Sequence, residues 1–67
     1  MQLTINGTSR TFARPVATVA DLVHVLGLEG KRIAVERNGA IVPKSRHADT
    51  PLVPGDRLEI VGAVGGG

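Results

Sequence analysis

The 67-residue chain is long enough for one domain and can bury only about 60 % of its unfolded surface, which leaves little room for an enzyme's interior pocket. It has no cysteine, which excludes a disulfide framework, a thiolate metal site and a catalytic thiol, and so small a domain without such staples points to the reducing cytosol. Eight basic and six acidic side chains give a net charge of +2; the basic ones are spread along the chain without aromatics to stack bases, so we expect a solvated surface and no nucleic-acid partner.

Met1, Leu3 and Ile5 alternate with Gln2, Thr4 and Asn6, the pattern of a strand with one buried face. The same segment has neither a basic n-region nor an apolar run, so no signal peptide is expected. No stretch approaches the ~20 apolar residues of a membrane span, and the expected setting is the cytoplasm. Asn6-Gly7 is a preferred centre for a tight hairpin, with a second strand expected from about Thr8 to Arg14. The phase of that strand is open, because Phe12 shares a face with Arg10 and Arg14.

Pro15 ends the strand and Thr18 begins a helix. Thr18 with Asp21 reads as a capping box in which Asp replaces the usual Glu. Val19, Leu22, Val23 and Leu26 form one apolar stripe at helical spacing, from which Asp21 and His24 point away, and Gly27 is placed to cap the C-terminus. Ile33 and Val35 then mark a third strand, Asn38-Gly39 repeats the turn signal, and Ala40–Val42 is a short fourth strand. Pro43 to Pro54 holds three prolines and reads as a surface connection with one helical turn near Lys44 to His47. After the turn at Pro54-Gly55-Asp56, Arg57 to Val61 alternates as the last strand. The order of elements gives α+β architecture with a mostly antiparallel sheet.

Few residues carry chemistry. His24 and His47 are separate, with no carboxylate or cysteine at ligand spacing, so no metal site is expected. Ser9 and Ser45 have no base nearby in sequence. Gly65-Gly66-Gly67 is not followed by a helix, so it is no phosphate loop. These glycines are the last residues of the sequence, so we expect a free carboxylate carried on the narrowest backbone available. Six residues from Gly62 onward, at ~3.3 Å each, reach about 20 Å. Such an arm enters a slot in a partner that the folded body cannot enter, and glycine permits close approach to a nucleotide. Ordering it costs on the order of 1–2 kcal/mol per residue, which a docking surface on the body must offset.

Taken together, Asn6-Gly7, Thr18-Val19-Ala20-Asp21-Leu22, Val35-Glu36-Arg37-Asn38, Ile41-Val42-Pro43, Gly55 to Val61 and above all Ala63-Val64-Gly65-Gly66-Gly67 resemble the ThiS-type sulfur carriers of thiamine biosynthesis. The resemblance implies a β-grasp, ubiquitin-like fold: a mixed sheet of four to five strands, first and last parallel at its centre, one main helix across one face, and a flexible C-terminal glycine tail. The domain would span 1–61 and the tail 62–67. It further implies a carrier that is not an enzyme. An adenylating partner resembling ubiquitin-activating enzymes (ThiF-type) would use ATP and magnesium to activate the carboxylate of Gly67, with no cofactor bound permanently by the carrier. A sulfur donor, typically charged by a cysteine desulfurase, would leave a thiocarboxylate there, and thiazole synthase (ThiG-type) would take the sulfur. Val64, Gly65, Gly66 and Gly67 would thread the partner's site. A carrier serving molybdopterin or cysteine synthesis remains as the runner-up, with a ubiquitin-like protein modifier and a small basic nucleic-acid-binding domain as alternatives from other classes.

Overall fold

The computed structural model describes residues 1–62. β1 (Gln2–Ile5) and β2 (Thr8–Thr11) form an antiparallel hairpin. Its two turn residues, Asn6 and Gly7, have φ of 51° and 81°, the positive pair whose twist matches right-twisted strands. β1 alternates as expected, with Leu3 and Ile5 buried and Gln2 exposed.

β2 departs from its expected span. It ends at Thr11 rather than Arg14, and all four of its residues are exposed. Pairing runs on to Phe12, whose N–H donates to the Met1 carbonyl at 2.7 Å. Phe12 itself is half-buried and packs on the margin of the core. The Arg10 guanidinium sits 5.6 Å from its ring centroid, within cation–π range.

The helix α1 (Val19–Val25) is fixed at both ends by its own sequence. Thr18 N–H donates to Asp21 Oδ2 at 3.1 Å and Asp21 N–H donates to Thr18 Oγ1 at 3.2 Å, so the expected capping box is complete. At the other end Gly27 has φ +72°; its N–H reaches the His24 carbonyl and Leu28 N–H reaches that of Val23, the two bonds of a Schellman motif. Val19, Leu22 and Val23 are buried on the stripe read from the sequence.

β3 (Ile33–Arg37) and β4 (Ala40–Val42) form a second hairpin around Asn38-Gly39, again with positive φ at both turn residues. A 3₁₀ helix, Lys44–Asp49, occupies the connection where one helical turn was expected. The chain then returns to the start of α1, where Leu52 N–H donates to the Ala17 carbonyl and Val19 N–H to that of Thr50. β5 (Arg57–Gly62) extends one residue past the expected Val61.

The described strands form one mixed sheet in the order β2-β1-β5-β3-β4. β1 and β5 pair in parallel and the remaining neighbours antiparallel. The helix lies across one face and closes a core whose fully buried side chains include Leu3, Val19, Leu22, Val35 and Leu58.

Candidate functional site

β5 leads directly into the glycine-rich end of the chain, so what fixes β5 fixes the root of that segment. It lies in the middle of the sheet. Ile5 stands opposite Leu58 on the parallel side, and Ile33 to Arg37 run opposite Gly62 to Leu58 on the antiparallel side. Beyond the end of β1 the Asn6 side chain continues the pairing. Its Oδ1 accepts from Ile60 N–H at 2.7 Å and its Nδ2 donates to the Ile60 carbonyl at 2.9 Å. Asn38 holds the start of β5 likewise, with Oδ1 accepting from Arg57 N–H at 2.9 Å. The asparagines of both hairpin turns therefore grip the last strand.

Asp56, just before β5, is the one buried polar or charged residue among the described residues, 5 % exposed. Its Oδ2 accepts from Arg37 Nε at 2.8 Å and Val53 N–H at 2.9 Å, and its Oδ1 from Asn38 Nδ2 at 3.0 Å. Burial pushes this carboxyl up. The Val53 N–H, the Asn38 amide and the Arg37 guanidinium outweigh that effect and hold it below its ordinary value. Sequence reading took Asn6, Asn38 and Asp56 as turn residues and missed this joint. Its available signal was the repeated Asn-Gly together with an aspartate before the last strand.

The face of the sheet away from the helix is open. Glu36 and Glu59 stand directly opposite one another on β3 and β5, a like-charge pairing that costs stability. Glu36 is flanked on β4 by Ile41, which is 76 % exposed. One row along, exposed Val61 stands opposite Ala34. The result is an acidic pair with bare aliphatic side chains on the side toward the root of the tail and Arg57 on the other, lining the same concavity.

The expected site residues Val64, Gly65, Gly66 and Gly67 lie outside the described residues. The two histidines are apart. His24 Nδ1 lies 2.9 Å from Glu29 Oε1, and the Glu29 carboxylate raises the imidazole's pKa; His47 Nε2 lies 3.2 Å from the Val42 carbonyl. Among the described residues no group of three His, Cys, Asp or Glu could hold a metal ion. No described helix is long and apolar enough to cross a membrane.

The model of the ThiS family matches residues 3–67, the glycine-rich end included. The chain belongs to the ThiS family. It is 38 % identical over 65 residues to the sulfur carrier protein ThiS of Bacillus subtilis, covering 97 % of this chain and 98 % of that one. It is 48 % identical over 67 residues to a thiazole synthase of Paramagnetospirillum magneticum. There the chain spans 20 % of the relative's length. The crystal structure of thiamine biosynthesis protein ThiS from Geobacter metallireducens superposes with a TM-score of 0.86 at 29 % identity, covering all of both chains. The fold is thus the mixed five-stranded β-grasp of the ThiS proteins.

Proposed function

We propose that this chain carries sulfur for thiazole formation in thiamine biosynthesis, with the carboxylate of Gly67 as its working group. The observation that carries the reading is the family match through residue 67, supported by the names of the Bacillus and Paramagnetospirillum relatives. A carboxylate does not accept sulfur directly, because oxide is a poor leaving group. An adenylating partner using ATP and magnesium converts it to an acyl adenylate with release of pyrophosphate. A persulfide donor charged by a cysteine desulfurase then displaces AMP to give an acyl disulfide, and a second thiol attacks its S–S bond, leaving a thiocarboxylate on Gly67 and the donor as a disulfide. Thiazole synthase takes the sulfur in exchange for an oxygen from the acceptor substrate or water, and the carboxylate returns.

The fold's contribution is mechanical. β5 is held by strands on both sides and by the two asparagines, so a partner docked on the open face finds the root of the tail at a fixed place. Residues 63–67 span at most roughly 17 Å beyond it. Glu36, Glu59, Ile41 and Val61 supply the face, and its contacts offset the entropy of ordering the tail. Incubation with the adenylating enzyme, ATP and a sulfur source, followed by intact-mass measurement, tests the reading. The expected gain matches replacement of one oxygen by sulfur; an unchanged mass alongside ATP turnover contradicts it.

A further inference from the structure

The basic residues look scattered in the sequence, yet the fold gathers Lys31, Arg32 and Lys44 around one groove of about 430 Å³, with His47 at its side. Val23, Leu28 and Ile33 supply its apolar lining, and among the described residues no carboxylate lines it. The rest of the chain has five basic side chains against six acidic ones. The positive side-chain balance of the protein therefore resides in this groove. Its position is also informative: Ile33 is the register partner of Gly62, so the groove opens at the end of the sheet from which β5 leaves, on the helix side.

We infer that this groove is a second docking site, taking an acidic segment with a large apolar side chain from the adenylating partner that receives the tail. The assignment of that partner rests on the function proposed above. An apolar anchor fits between Val23, Leu28 and Ile33, while flanking carboxylates meet the lysines and Arg32. A nucleic acid fits less well, since the groove has no aromatic to stack a base. A nucleotide fits less well too, because the groove lies at the C-terminal end of α1, where the helix offers carbonyls rather than N–H groups to phosphate. Bound there, the partner would hold the body from the helix side while the open face holds it from the other, and the tail would leave between two fixed contacts.

The test is an amide chemical-shift titration of the intact chain with the peptide Asp-Glu-Leu-Phe-Glu-Asp. Saturable shifts are expected at residues 28–33 and 44–47, weakening as salt rises. Binding should drop roughly tenfold or more in Lys31→Glu/Lys44→Glu, and in wild type when Leu-Phe of the peptide is replaced by Gly-Gly. Both lysines are exposed, and should the double variant fail to fold, Lys31→Gln and the wild-type salt series read the same dependence. Shifts confined to the open face, binding indifferent to these changes, or equal binding by a single-stranded oligonucleotide or ATP overturn the inference. The titration involves no sulfur chemistry. A chain that gains sulfur but ignores the peptide defeats this inference alone, and one that binds the peptide but never gains sulfur defeats the proposed function alone.

Discussion

Asp56 shows how a single side chain can organise the root of a functional strand. Asp56→Ala leaves the Val53 N–H and the Asn38 amide without an acceptor and Arg37 without its partner. Arg37 is 28 % exposed and reaches water, so the loss falls below that of a fully buried pair, at about 2–4 kcal/mol in denaturant unfolding. The sign of the pH effect follows from the direction of the shift. The folded pKa lies below the ordinary value near 3.8, so the stabilisation is full above that value and is lost as pH falls through it toward the folded pKa. Asp56→Ala should therefore lose less stability than wild type between about pH 6 and pH 3. Gly66→Ala asks a different question. The added methyl leaves charge and carboxylate alone, so folding and docking should be normal. If the tail threads a narrow slot, ATP–pyrophosphate exchange slows sharply; an unchanged rate would show that the slot tolerates a side chain.

Elements whose faces differ in burial were legible in the sequence. α1 was readable to its caps, because Thr18, Asp21 and Gly27 each act within a turn of their own position. β1, β3 and β5 alternate because each has one face in the core. β2 was not legible in phase or length. All its residues are exposed, so no buried face imprints a period on it, and Phe12 touches the core from just beyond its end. The parallel pairing of β1 with β5 came only from family resemblance, since periodicity within a strand carries no information about its neighbour. Leu22 lies at the centre of the helix–sheet contact with no exposed surface, and Leu22→Ala should cost ~2–5 kcal/mol in thermal or urea unfolding. On the open face the expectation reverses. Glu36→Gln relieves the repulsion with Glu59 and should stabilise the fold by about 0.2–1 kcal/mol, while weakening binding to the adenylating partner in the same preparation.

At the scale of the whole molecule, stability and function are separated along the chain. Residues 1–62 contain the described core, the caps and the sheet, whereas the proposed chemistry belongs to Gly67. The role expected of the tail came from its composition and the family resemblance, and residues 63–67 lie outside the described residues. The surfaces that would present it were not legible in the sequence, since Lys31 and Lys44, or Glu36 and Glu59, meet only through the fold. Separation of this kind predicts that removing Gly66 and Gly67 leaves the β5 pairing intact and the thermal midpoint nearly unchanged. The most direct measurement is fragmentation mass spectrometry of the chain after incubation with the adenylating enzyme, ATP and a sulfur source. We predict an oxygen-to-sulfur mass difference confined to fragments that contain Gly67, and none in the chain lacking Gly66 and Gly67. Sulfur found on any other residue, or accepted by the shortened chain, would contradict the account.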